Sequence, residues 1–443
     1  MKTHTLLFFV FTGMVAAQDK PQDPFVKDKK AAAAALEPGK APQNVLFIVE
    51  TITLPQADYA ALLDSPQGRE KLYVNAVTAM KNGTARLDGC HWIRTKSGTR
   101  TSLEAADELI YPTGWTSADS TGFQYPTSFE MRQLGDRFEL ESVTEGKTGA
   151  LNLVHNFQRD RFLGFRPCKA DSTLAGVPAV SINGQQAPSG CVMIPGVPTL
   201  ISTLSDSQSG DITLVFATGH VVTITGPSSA EAKGSGNILM TLRVISLDRM
   251  KGWEILKKHP LDSSACLADL KPLLTAKEAA LEHISTISTR SGTRSVHDSG
   301  REYQYGTEFD PPGEAAPGRM STDPKKPDAP ARARNEAATM AFESRSLGFR
   351  WEVEPVLNEA SNICDITISP SNTVMTGLLK DPNWSEHYPE IPLFSSQRIT
   401  AGSTLAVGST ELLGTLNPPG DTGANEHKDE GRMWLLFLEV NLE

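Results

Sequence analysis

Cysteine is scarce in this chain. Five residues in 443 (Cys90, Cys168, Cys191, Cys266 and Cys364) permit disulfides in an exported protein but cannot make a dense crosslinked framework. Basic runs are also missing, and the formal charge is −10. Nucleic acid is therefore a poor partner, because phosphate binding needs clustered Lys and Arg, and the nearest cluster, Lys27 to Lys30, lies in a tail. Catalytic signatures are absent too. The chain has no G-x-S-x-G, H-E-x-x-H or C-x-x-C, and the "GKT" at 146–148 lacks the preceding glycine of a phosphate-cradling loop because Glu141 stands there. The nine histidines are scattered. The expectation is a non-enzyme with no catalytic, cofactor or metal site.

Only one long apolar run occurs, at the start. "MKTHTLLFFVFTGMVAAQ" has one basic residue, an apolar run from Leu6 to Ala17, and small residues Val15 and Ala17 placed for cleavage before Gln18, which reads as a secretory signal peptide over residues 1–17. The run is too short to span a membrane, so no transmembrane helix is expected after cleavage. Residues 18–43, rich in Pro, Lys and Ala, read as a flexible leader. Cys168 and Cys191 flank a loop-like stretch and form the candidate disulfide.

The chain repeats itself. "TKSGTR" from Thr95 recurs as "TRSGTR" from Thr289, and "ELIYPTGW" from Glu108 aligns with "EYQYGTEF" from Glu302 at the same offset. "SFEMRQLGDRFELESV" from Ser128 aligns with "AFESRSLGFRWEVEPV" from Ala341, and "NVLFIVETITL" from Asn44 with "NILMTLRVISL" from Asn237. Four blocks in one order imply an internal duplication, with units at 44–236 and 237–443. The fold class expected is α+β, mainly β: two similar domains, each a strand, then helices, then strands. In each copy the "SG" reads as a short hairpin loop, with Gly98 or Gly292 taking positive φ; an anion nest on the same glycine is the alternative. Phe138 and Leu140, like Trp351 and Val353, fall at every second place and should face cores, with Glu139 and Glu352 outward on a solvated face rather than in a catalytic pair. The growing offset places an insert at about 311–337 in the second copy, rich in Pro, Ala and charge. A compensating insert in the first copy is expected between Val143 and Asn237, including "GFRPCKADSTLAGVPAVSINGQQAPSGC".

These blocks resemble the C-terminal β-domain of bacterial secretins, the ring-forming outer-membrane proteins of secretion and pilus systems. The resemblance rests on Ser291-Gly292, Tyr305 to Phe309, "FESRSLGFRWEVEP" from Phe342, "CDITISP" from Cys364, "PLFSSQRIT" from Pro392, "GSTELLGTL" from Gly408 and "WLLFLEV" from Trp434. The first half resembles it more faintly, through Ser97-Gly98, Tyr111-Pro112 and Phe129 to Val143. The chain departs from the family in having "NPPGDTGANEHKDEGR" where secretins carry a "V-P-x-L-G-x-I-P" stretch, and a short segment between Pro370 and Pro389 where they place membrane-reaching hairpins. What the resemblance implies is an exported protein of the periplasm or outer membrane, a scaffold or assembly partner in a secretion or type IV pilus-like system. Its partners would be other envelope proteins or further copies of itself. An oligomeric outer-membrane channel is one alternative. An extracellular carbohydrate-binding or hydrolytic β protein, with Trp115 and Trp384 as sugar platforms, is the other. Because residues 18–43 and 311–337 lack apolar periodicity, limited proteolysis should cut the chain there first, and protection of either segment would contradict the expectation.

Overall fold

The computed structural model describes residues 41–65, 68, 70–116, 124–145, 149–167, 178–206, 209–226, 236–310, 338–379, 390–424 and 431–443. The signal peptide, most of the leader, Cys168, the 311–337 insert and Trp384 lie outside the described residues. The elements run β1 (Gln43–Pro55), α1 (Gln56–Asp64), α2 (Leu72–Lys81), β2 (Arg86–Lys96), β3 (Thr101–Trp115), β4 (Pro126–Thr144), β5 (Leu151–Pro167), β6 (Pro178–Met193), β7 (Thr199–Asp206) and β8 (Asp211–Thr223). The second half follows the same order: β9 (Asn237–Asp248), α3 (Arg249–Lys258), α4 (Ser263–Thr275), β10 (Ala279–Arg290), β11 (Ser295–Asp310), β12 (Ala338–Asn358), β13 (Ile363–Leu378), β14 (Pro392–Ala406), β15 (Thr410–Thr415) and β16 (Arg432–Leu442). The protein is α+β and mainly β, and each half opens with a strand followed by two helices.

The strands form two eight-stranded sheets, ordered β10-β9-β16-β15-β2-β1-β8-β7 and β11-β12-β13-β14-β3-β4-β5-β6. Each sheet takes four strands from each half, so the halves do not own separate sheets. The sequence pattern follows from the layering. The first sheet is covered on both faces: Leu46, Ile48, Trp92, Phe216, Leu435 and Phe437 pack with the helices. Val45, Phe47, Val49, Ile93, Leu436 and Leu438 pack against the second sheet. Its strands therefore read as unbroken apolar runs such as "NVLFIVETITL". The second sheet has one covered face, so Phe138, Leu140, Trp351 and Val353 are buried while Glu139 and Glu352 lie at the other side, part-exposed. At its far end this sheet curls until β11 meets β4 at Glu308 and Ser128, closing on Ile110, Phe309, Leu347, Ile391 and Phe394.

The repeated "SG" has a different role from the hairpin the sequence suggests. β2 lies in the first sheet and β3 in the second, as do β10 and β11, so Ser97 to Arg100 and Ser291 to Arg294 are corners carrying the chain between layers. Gly98 and Gly292 take φ of 78° and 73°. Gly98 donates its N–H to the Ser142 carbonyl at 2.7 Å and Gly292 to the Pro355 carbonyl at 2.7 Å. Ser97 Oγ accepts from the Thr144 N–H and Ser291 Oγ from the Leu357 N–H. Arg100 pairs with Glu139, and Arg294 with Glu352. Thr101 donates to Thr95, and Ser295 to Thr289. The six-residue echo thus records one corner built twice with the same bonds.

The stretch from Gly164 to Cys191 also differs from expectation. It is no insert: β5 and β6 pair Phe162 with Ile182 and bulge before Gly164, as β13 and β14 pair Met375 with Phe394 and bulge before Gly377. Cys191 sits opposite Leu153 and its thiol is free. Its expected partner Cys168 lies outside the described residues.

Gly135 and Gly348, equivalent in the two halves, take φ of 126° and 121°, and a Cβ there would stand 2.2 Å from the Ala105 carbonyl oxygen and 2.4 Å from that of Ser299. Gly348→Ala should therefore lower stability by about 1–3 kcal/mol, read from the urea midpoint, whereas Gly431→Ala, where a Cβ meets nothing, should leave the midpoint near that of the parent protein.

Candidate functional site

Where the halves join, β15 lies antiparallel beside β2, and β14 lies antiparallel beside β3 from Phe394↔Glu108 to Thr400↔Ser102. The seam is heavily bonded. Asn44 donates from Nδ2 to the Thr404 carbonyl at 2.7 Å and accepts the Thr404 N–H at 3.1 Å, closing a two-bond clamp on one peptide position. Arg94, 1% exposed, pairs with Glu411 at 2.8 Å, and Lys96 with Asp365 at 2.9 Å. Asn417 donates to the Cys90 carbonyl, and Thr415 accepts the Trp92 N–H. Above the sheet, Glu50 of β1 is fully buried and takes hydrogen bonds from Tyr73, from Trp253 of α3 at 2.5 Å, and from Lys257 of α3 at 2.9 Å. Burial and the Glu50 charge push the Tyr73 hydroxyl far up, which fixes it as a donor. A charge this deep is tolerable only with such full pairing.

Among the described residues the outer ends have no such partner. β6 and β7 terminate the two sheets on one side, β10 and β11 on the other, and each leaves a strand edge unpaired by described residues over most of its length. Exposed apolar side chains gather at both rims: Val192, Ile194 and Val197 at one, Leu281, Ile284 and Val296 at the other. Open, apolar-rimmed edges of this kind are templates for another strand, and natural sheets that must stay single blunt them. At the β10–β11 rim His283 stacks on Phe349 with centroids 4.0 Å apart and faces His297 at 5.9 Å. Burial, and secondarily the His297 charge, lowers the His283 pKa.

A polar cavity of about 270 Å³ opens between the layers, lined by Arg86, Asp88, Asp136, Arg159 and Arg249 among others. Its central charges are paired. Arg159 forks onto both Asp136 oxygens at 2.7 Å and reaches Asp88 at 3.6 Å. Burial would raise the Asp136 pKa, but the Arg159 charge and bonds outweigh it and hold it below the usual value. Among the described residues no group of three or more His, Cys, Asp or Glu is placed to hold a metal ion. The structural glycines Gly98 and Gly292 stand at equivalent corners, and Trp115 is half-buried at the end of β3. The edges themselves went unread in the sequence, because a strand's neighbours depend on pairing between residues far apart in the chain.

No protein-family model matches this chain, and no curated protein matches it. Among solved structures it is similar to the type II secretion system secretin GspD of E. coli K12, at 12% identity over 44% of this chain and 52% of that one, with a TM-score of 0.20. It is similar to the type IV competence pilus secretin PilQ of V. cholerae, at 10% identity over 94% of this chain and 64% of that one, with a TM-score of 0.22. The Salmonella SPI-1 injectisome secretin InvG gives 11% identity over 67% of this chain and 88% of that one, also at 0.22. This chain thus spans 52% of GspD and 64% of PilQ. With TM-scores this low the chains do not superpose as wholes, and function has to be read from this chain's own residues. Among the described residues no helix is long and apolar enough to cross a membrane, which leaves strands out of account.

One titration follows from the cavity wall. His91 is buried beside it, and burial first, then the Arg249 and Arg159 charges, lower its pKa to about 4 despite the opposing pull of Asp136. The unfolded chain takes up this proton near pH 6.5 and the folded chain does not until near pH 4. Stability is therefore fully present above 6.5 and falls by roughly 1.4 kcal/mol per unit between the two values. Urea unfolding at pH 7 and pH 5 should show this loss, and His91→Gln should flatten it.

Proposed function

We propose that this chain is a non-catalytic exported cell-envelope protein, a scaffold or assembly partner in a secretion or type IV pilus-like system, whose chemistry is the addition of strands to its own sheet edges. The observation that carries the reading is the pair of edges left open among the described residues, each presenting strands of both sheets and rimmed with exposed apolar side chains. The two units at 44–236 and 237–443 are best understood as a duplication, since element order, corner bonds and bulge positions agree. The bulge after Pro112 has its counterpart after Gly306, and the bulge after Leu200 its counterpart after Leu412. The segments that resemble secretins supply the system: "FESRSLGFRWEVEP" and "PLFSSQRIT" are β12 and β14, next-but-one neighbours in one sheet.

An oligomeric outer-membrane channel is the second reading, favoured by the strand order, in which the four strands of one half simply repeat along each sheet. Cell fractionation followed by negative-stain imaging separates the two. Recovery in the periplasm, or in a membrane fraction released by mild detergent as a complex with envelope proteins, is the expected outcome. Rings embedded in the outer membrane would favour the channel, and cytoplasmic recovery would refute both.

A further inference from the structure

The gap between the two sheets is bridged differently in the two halves. In the first half, Arg159 of β5 holds Asp136 of β4 and reaches Asp88 of β2, an ionic tie between the second sheet and the first. Strand register carries these positions into the second half: Asp136↔Arg159 becomes Phe349↔Asn372, since Gly135↔Asp160 becomes Gly348↔Thr373. Both replacements are uncharged, and Asn372 turns to Gln397 of its own sheet. Two histidines stand at the gap instead. His283 lies on β10 of the first sheet, opposite Val244 where Gly89 lies opposite Thr51. His297 lies on β11 of the second sheet, opposite Trp351 where Leu103 lies opposite Phe138. A glycine position and a leucine position of one copy are thus both imidazoles in the other, and the two rings meet.

We infer that His283 and His297 form a binding site for a divalent transition-metal ion, zinc, copper or nickel, which ties the two sheets together at the outer end of the second half. The inference goes beyond the scaffold reading and does not depend on it. Imidazole nitrogens suit these ions, whereas magnesium and calcium seek oxygen. Water fills the remaining positions, since among the described residues no third His, Cys, Asp or Glu joins the pair. A bound ion takes the part that Arg159 plays in the first half. Because unfolding separates the two ligands, the ion also favours the folded chain.

The spacing fits. A zinc ion held at about 2.1 Å by one nitrogen of each imidazole, with the ring centres about 1.2 Å further back, sets those centres between about 5.2 Å at a tetrahedral angle and about 6.5 Å in line. The observed separation of 5.9 Å falls within that span. A neighbouring hydroxyl prepares one ring. Ser285 Oγ, buried, accepts the Trp351 Nε1–H at 3.0 Å, and His283 Nε2 lies 2.8 Å from the same oxygen. With the Nε2–H donated to that oxygen, Nδ1 keeps its lone pair for a metal, and fixing a ring through its second nitrogen is how metal-binding histidines are oriented. Stacking on Phe349 at 4.0 Å holds the ring plane. That stack accounts for the place of His283 but not for a second imidazole beside it. Both rings are half-buried, so an ion and its waters have a way in from solvent.

Zinc chloride and the full chain test this. Titration calorimetry should show saturable binding of one ion per chain. His283→Gln and His297→Leu should each weaken it by more than roughly tenfold, and Ser285→Ala by roughly tenfold, while His259→Gln on the helical face should leave it unchanged. Zinc should raise the urea midpoint of the parent chain and of neither His283→Gln nor His297→Leu. Should a substitution prevent folding, chemical protection in the parent chain decides: zinc should shield His283 and His297 from diethyl pyrocarbonate, read peptide by peptide by mass spectrometry. Absence of saturable binding, binding that either histidine substitution leaves intact, or equal modification of both rings with and without zinc overturns the inference. The envelope-scaffold reading is judged separately by fractionation.

Discussion

A strand at the rim of a sheet carries N–H and C=O groups that have no partner in the fold, and the whole arrangement of this protein turns on where those rims fall. Had each half closed its own pair of sheets, four rims would have met solvent in each half. Instead the second half sets β14 and β15 against β3 and β2 of the first, which removes two rims from each half and turns two short double sheets into one long one. The bonds at this seam are of the kind that specify register. The Asn44 clamp fixes one peptide of β14, and buried charges at Arg94 and Glu50 would be costly if the strands slipped by one residue.

Layering explains the composition of the strands. The first sheet is dry on both faces, with helices over one and the second sheet over the other, and its strands accept apolar residues at nearly every position. Away from its curled end the second sheet is dry on one face alone, so β4 and β12 alternate there, and their outward acids are held by the corner arginines Arg100 and Arg294. Each corner must bring a chain from one layer to the next within a few residues, and a glycine with positive φ, bonded to the neighbouring strand through its own N–H, does so without a side chain to accommodate.

A pair of units joined head to tail has unlike ends by construction. In a single chain the joint between them forms at the high effective concentration set by the connecting segment. The internal joint has Arg94 with Glu411 and Lys96 with Asp365, whereas the equivalent positions toward the outer edges are Ser288, Thr199, Arg290 and Asn152, with less opposite charge to match.

Several features were legible in the sequence because they depend on local pattern. The strand-then-helices opening of each half, the burial of Phe138 and Trp351, and the positive φ of Gly98 and Gly292 all follow from periodicity or from one residue's allowed conformations. What the sequence could not show was which strand lies beside which. "TKSGTR" has the composition of a hairpin loop, and nothing within six residues distinguishes a turn between paired strands from a corner between sheets. "GFRPCKADST" looked like an insert because β5 and β6 diverged in residue type while keeping their register with one another. The open edges were invisible for the same reason: pairing is a relation between residues hundreds of positions apart, such as Asn44 and Thr404, and only the folded chain brings them together.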